Sequence, residues 1–214
     1  MSLTMTPVLD RPLEKPADTT YPIHELLAKR WSPWAYASAP ISPETLGSLM
    51  EAARWSPSSM NEQPWRFIVV DKTADPQAHA RLVGVLMEGN QAWAKDAPVL
   101  ILAVAAMRLT RNGNPNGKAL YDLGQAVAHM TVEATAHGLV MRQMGGFHKD
   151  QAAEAFGIPE GYEPVVTLAL GYPGDPDALP EPLRQRQSSP RSRKPLADLV
   201  FAGKWGEATP FSDN

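Results

Sequence analysis

The sequence predicts an α+β sandwich, with a mixed, mainly antiparallel central sheet flanked by helices. Three observations predict it. Short apolar or β-branched runs alternate with stretches of helical period. Several connections between runs are shorter than the dozen or more residues that a parallel crossover needs. The run Pro98–Ala105 is apolar on both faces, as a strand covered on both sides must be.

Each element follows from local chemistry. Residues 1–20 hold Pro7, Pro12 and Pro16 among Ser, Thr and Asp without a period, and are expected to be a flexible N-terminal arm. Ile23, Leu26 and Leu27 begin a short amphipathic helix that Pro33 must end. Ser42–Pro43 reads as N-cap and first helical residue, and Leu46, Leu49, Met50 and Ala53 mark one face before Pro57. Arg66–Asp71 is a β-branched strand. Asp75–Pro76 repeats the cap signal and opens a helix with Leu82, Val83, Leu86 and Met87 on one side. Arg111–Gly117 is a loop dense in turn residues. Ala119–His137 is the strongest helix, with Leu120, Leu123, Val127, Met130 and Ala134 in phase, and Gly124 and Ala128 permit close backbone approach. Val140–Met144 is a short strand leading into Gly145–Gly146. Asp150 is expected to cap a small helix ended by Gly157 and Pro159, and Pro164–Gly171 is a further apolar strand. Beyond Tyr172 the chain is Pro-rich and basic. The folded domain is placed at residues 21–202, with a C-terminal tail over 203–214.

Composition removes several classes of function. The 214 residues are 43% hydrophobic and 20% charged, enough for one core and against global disorder. A net charge of −3 gives no general pull toward nucleic acid or anionic membrane, so any anion site must be local. With no cysteine there are no disulfides, thiol nucleophiles or Cys-ligated metals. No apolar stretch suggests a signal peptide or a bilayer span, and a cytoplasmic protein is expected. The five histidines are scattered, so no metal site is expected, and no Gly-x-Ser-x-Gly, Gly-x-Gly-x-x-Gly or Walker pattern occurs.

Four segments could carry chemistry. Arg30-Trp31-Ser32 can offer a guanidinium fork and a hydroxyl to one phosphate, or be an exposed Arg beside a capping Ser. Ser56–Phe67 packs serines, Asn61 and Gln63 between Pro57 and Pro64, stiff enough to preorganise hydrogen bonds to a heteroaromatic ring or polyol; it could also be a polar turn. Met144-Gly145-Gly146 lets backbone approach a flat ligand closely, or simply turns. Arg184, Arg186, Arg191, Arg193 and Lys194 are a solvated basic tail, a nucleic-acid contact lacking stacking aromatics, or half of a phosphate clamp.

The segment Ser56-Pro57-Ser58-Ser59-Met60-Asn61-Glu62-Gln63-Pro64-Trp65-Arg66-Phe67 resembles the signature loop of the FMN-dependent nitroreductase family. Arg30-x-Ser32, Gly145–Gly146 and Arg191-x-Arg193 follow in that family's order, over residues 22–202. The resemblance implies a nitroreductase-like sandwich forming a domain-swapped homodimer with shared FMN sites. It implies that Arg30, Ser32, Arg191 and Arg193 clamp the FMN phosphate, with Trp31 between them. Pro57, Ser58, Ser59, Met60 and Asn61 would reach the partner's FMN, while Met144, Gly145 and Gly146 approach the flavin N5 edge and Asn90 the ring.

Two departures stand out. Trp34 occupies a position that is commonly Arg or Lys, and Trp93 one where some relatives carry Lys. A cation near the flavin N1–C2 edge stabilises the reduced ring, so losing it should change potential or substrate choice, and another cation, Arg66 or Arg142, could substitute. The implied reaction is ping-pong hydride transfer from NAD(P)H to a nitroaromatic, quinone, activated alkene or aldehyde, needing no acid–base side chain. Trp93, the 108–121 loop and Tyr121 are the expected substrate walls. Alternatives are dehalogenation or ring oxidation on the same fold, or a flavin-binding protein without turnover. No nucleic-acid or membrane partner is expected.

Overall fold

A computed structural model describes residues 8–9 and 12–211. Among the described residues, four strands form one sheet in the order β1-β2-β4-β3: β1 (Trp65–Asp71), β2 (Val99–Ala106), β3 (Val140–Met144) and β4 (Tyr162–Gly171). Every pairing is antiparallel, so among the described residues the expected mixed sheet is wholly antiparallel. The β2 and β3 strands run in the same direction, but β4 lies between them. The helix connecting them therefore crosses a strand without creating a parallel ladder.

Among the described residues there are seven α-helices: α1 (Glu25–Lys29), α2 (Pro43–Arg54), α3 (Pro76–Gly84), α4 (Glu88–Ala94), α5 (Ala119–Ala136), α6 (Lys149–Ala155) and α7 (Glu181–Ser188), of which α1 packs on α5. The alternation along β2 divides the core. Val99, Ile101, Ala103 and Ala105 face Leu49, Leu123, Val127 and Met130 of α2 and α5. Leu100, Leu102 and Val104 face Leu82, Trp93, Ala152 and Phe147 on the other side. A strand fully buried on both faces needs apolar residues at every position, which is what its sequence showed.

The cap signals hold at two helices. Ser42 accepts from the Thr45 N–H at 3.1 Å and Asp75 from the Ala78 N–H at 2.8 Å, each followed by proline in the first turn. At α6 the N-cap is His148, and Asp150 lies inside the first turn. The helix expected to run through Leu86 and Met87 stops at Gly84, because Leu86 is drawn into a bridge with Phe147; α4 then starts afresh at Glu88. The α1 helix ends at Lys29, short of Pro33. Gly174 permits the closest crossing: a Cβ there would lie 2.3 Å from the Tyr36 backbone carbon.

Of the arm expected over residues 1–20, residues 1–7, 10 and 11 lie outside the described residues. Lys15 and Ala17 bond to the body of the domain. The C-terminal tail shows Trp205 against Phe201, with ring centroids 4.8 Å apart; 212–214 lie outside the described residues. Among the described residues no helix is long and apolar enough to cross a membrane.

Candidate functional site

The α1 helix ends where the first candidate segment begins. Arg30 is its C-cap, and its Nη1 donates to the Ser32 hydroxyl at 3.3 Å. The two groups line an open cavity of about 480 Å³ with Arg142, Arg193, Gln143 and the α5 flank at Ala128, Thr131 and Val132. Partial burial lowers the Arg30 pKa, and the neighbouring Arg191 and Arg193 lower it further. Burial and Arg193 do the same to Arg191. Among the described residues no carboxylate pairs with Arg30, Arg142, Arg191 or Arg193. Guanidiniums that crowd together without an acid form an anion site, and Ser32 adds a neutral donor. Arg191 does not line the cavity: its Nη1 donates to the carbonyls of Lys15 and Ala28. Trp31, between Arg30 and Ser32, carries the Lys15 ammonium 5.2 Å from its ring.

Arg142 projects from edge strand β3. Its guanidinium carbon sits 3.7 Å from the Trp34 ring centroid and 5.6 Å from that of Trp93. Its Nη1 donates to the Ser32 carbonyl. Trp93 is stacked on Tyr36 at 6.2 Å, and burial holds the Tyr36 hydroxyl pKa above its ordinary value. Trp34 and Trp93, from a loop and from α4, thus form a cradle for a cation from strand β3. Arg66 faces elsewhere: its Nη1 donates to the Gln63 and Trp65 carbonyls at 3.0 and 2.7 Å, and it lines a separate cavity with Arg108.

Arg142 also borders a second cleft of about 500 Å³, with Trp34, Met87, Asn90, Trp93 and Arg186 on its walls. Asn90 Nδ2 donates to the Gly146 carbonyl at 3.0 Å, and the Met87 N–H donates to the same oxygen at 3.0 Å. A Cβ at Gly146 would lie 2.9 Å from Asn90 Nδ2, so a larger residue there would push that side-chain amide aside. Met144 is buried, and its carbonyl accepts from the Thr167 hydroxyl at 3.1 Å, fixing the end of β3. Among the described residues, no acceptor meets the N–H groups of Gly145 and Gly146. They remain available as donors just past the end of β3.

The Ser–Pro loop lies elsewhere in the chain. Pro57, Ser58 and Ser59 line a third cleft with Tyr121, Asp122 and Gln125 of α5. The Ser59 N–H donates to buried Asp122 at 3.0 Å, and Ser58 Oγ accepts from the Gln63 N–H at 3.0 Å. Met60, Asn61 and Gln63 all have positive φ, 54°, 57° and 47°. Such backbone costs about 1–3 kcal/mol per residue and clusters where geometry is used. The loop reaches α5 near its first turn, whereas the basic cavity meets it at residues 128–132, roughly 9–15 Å along the axis at the helical rise. None of the described cavities contains both. Likewise Trp93, 1% exposed, forms the floor of the Arg142 cleft, while Tyr121, 70% exposed, stands by the loop.

Sequence reasoning missed Gln187 and Lys15 near the site, and placed Arg186 only within the basic tail, not on the Arg142 cleft. Gln187, 1% exposed, accepts the N–H groups of Trp34 and Ala35 at 2.7 and 3.2 Å through one side-chain oxygen. A lone Gln in a basic tail carries no signal of that role; only the fold supplies the two donors.

The profile of the nitroreductase family matches residues 27–83 and 73–172, more than half of the chain. A major NAD(P)H-flavin oxidoreductase of Aliivibrio fischeri is 28% identical over 85% of this chain and 98% of its own. An uncharacterized 15.4 kDa protein of Mycolicibacterium smegmatis is 37% identical, over 62% of this chain and 88% of its own. A crystal structure described as an oxidoreductase containing FMN superposes with a TM-score of 0.83 at 34% identity, covering 89% of this chain and 96% of that one. The chain belongs to the nitroreductase family.

Proposed function

We propose that the chain is an FMN-dependent oxidoreductase that passes hydride from NADH or NADPH to a small electron-poor acceptor, a nitroaromatic, quinone, activated alkene or aldehyde. The observation that carries this is the acid-free cation cluster of Arg30, Arg142 and Arg193 beside Ser32, continuous through Arg142 with the cleft of Asn90. The donor set fits a flavin mononucleotide. Arg30, Ser32 and Arg193 would hold the phosphate; the Gly145 and Gly146 N–H groups and Asn90 would meet the polar ring edge. The flavin when bound supplies a two-electron carrier between the nicotinamide and the acceptor. The chain's own residues would bind, orient and set charge, with Arg142 supplying a fixed positive charge that would favour the negative charge developed on reduction. The names of the Aliivibrio relative and of the FMN-containing structure support the same reading.

The second half of the proposal is a homodimer with two shared sites. The Pro57–Asn61 stretch is strained, preorganised and distant from its own chain's cation cluster, as expected of a group that serves a partner's site. The exposed flank of α5, with Leu120 and Tyr121 beside Gly124 and Ala128, offers apolar surface and close approach to a second copy.

The purified protein should be yellow, bind FMN and oxidise NADH or NADPH with a quinone. Arg193→Ala should weaken FMN retention about tenfold or more, the scale of one lost charge-assisted hydrogen bond. A colourless protein that neither binds added FMN nor oxidises either nucleotide with it sinks the proposal.

A further inference from the structure

Lys15 stands at a junction between the N-terminal and C-terminal segments. Its ammonium donates to the Gln187 carbonyl at 2.7 Å and to the Ser189 carbonyl. Two residues on, the Ala17 N–H donates to the Ala28 carbonyl at 2.9 Å. Arg191 closes the loop, with Nη1 donating to the carbonyls of both Lys15 and Ala28. Residues 15–17 therefore tie the last turn of α1, just before Arg30, to the segment just before Arg193. These are the two halves of the anion site, and they come from distant parts of the sequence. The same segment carries Gln187, whose side chain fixes the backbone of Trp34 under Arg142.

We propose that residues 12–17 are a strap that positions the phosphate clamp, with Lys15 and Arg191 as positioning residues that hold Arg30 and Arg193 to the ligand without touching it. The inference rests on the FMN reading, because it needs a phosphate ester as ligand. The physical case has two parts. Arg193 is exposed, and its Nη1 donates to its neighbour's carbonyl, so its placement depends on the chain that carries it. Immobilising such a side chain during binding costs conformational entropy, and a backbone fixed beforehand reduces that cost. Second, carbonyl oxygens of the strap and of α1 absorb the Arg191 charge, which lets guanidiniums crowd here without an acid.

The test compares FMN with riboflavin, which shares the ring and ribityl chain and lacks the phosphate. Both are titrated into apo-protein by fluorescence quenching. Lys15→Met and Arg191→Gln should each raise the FMN Kd about tenfold while the riboflavin Kd moves less than about twofold. Lys15→Arg should recover most of the loss, and the double variant should be no weaker than the worse single, since both act through one device. Should Lys15→Met fail to fold, Ala17→Pro removes the N–H that meets Ala28 and carries the same expectation. Equal weakening of both ligands, or an unchanged FMN Kd, overturns the strap. A wild-type protein that binds neither ligand instead overturns the FMN reading, and the strap falls with it.

Discussion

Arg142 is surrounded by rings and a carbonyl where a buried cation usually has an acid. Two aromatic faces and the Ser32 carbonyl hold it, each cation–π contact being worth about 0.5–2 kcal/mol when partly desolvated. Burial is the largest cause of its lowered pKa, and nearby Arg186 adds to it. Such a group responds strongly to an anion and is left net positive when none is present. Arg142→Gln should therefore lower the reduction potential of bound flavin by roughly 30–60 mV, that is ~1–3 kcal/mol for a two-electron couple. Dye-equilibrated reduction checks this, and an unchanged potential would remove Arg142 from the role. Arg142→Lys should restore only part of the effect, because an ammonium keeps the charge but loses the planar stacking. The sequence narrowed the cation to Arg66 or Arg142 but could not choose. That choice depends on which face of which strand each occupies.

At the scale of elements, local signals decided most of what can be read. Ser42 and Asp75 cap because their oxygens reach an N–H three residues away, a contact written wholly within the segment. The break between α3 and α4 was not legible, since it answers to Phe147, far along the chain. The Pro57–Gln63 loop lies between these cases: its prolines and serines were legible, its three left-handed residues were not. Met60 is 69% exposed and gains nothing from burial within its own chain. Met60→Gly should thus relieve strain and stabilise by about 1 kcal/mol, raising Tm roughly 2–4 °C by calorimetry. FMN retention should fall in the same variant, because the loop loses its fixed shape. A lower Tm would mean that the strain is balanced by contacts absent from a single chain.

For the molecule as a whole, the exposed flank of α5 is the unfinished surface. Gly124 has nothing within 4 Å of where its Cβ would be, although the helix is buried along its opposite side. A bulky charge there leaves the monomer's core untouched. Gly124→Arg should convert the proposed dimer to monomer in light scattering and lower FMN retention with it, since the loop could no longer reach a second site. Retained dimer and retained FMN together would place the interface elsewhere.

What the sequence determined by itself was whatever short-range rules govern: the doubly apolar central strand, the helical period of 119–137, the cap–proline pairs, and a set of polar segments whose order resembles one family. Their physics acts within a few residues, so composition and spacing carry it. Only the tertiary structure decided the all-antiparallel order β1-β2-β4-β3, the placing of Arg142 against Trp34 and Trp93, and the joining of Lys15 and Ala28 to Arg191. Those depend on groups far apart in the chain, and their encounter is set by how the two faces of one sheet are covered. The site arises where the N-terminal and C-terminal segments close over the edge strand.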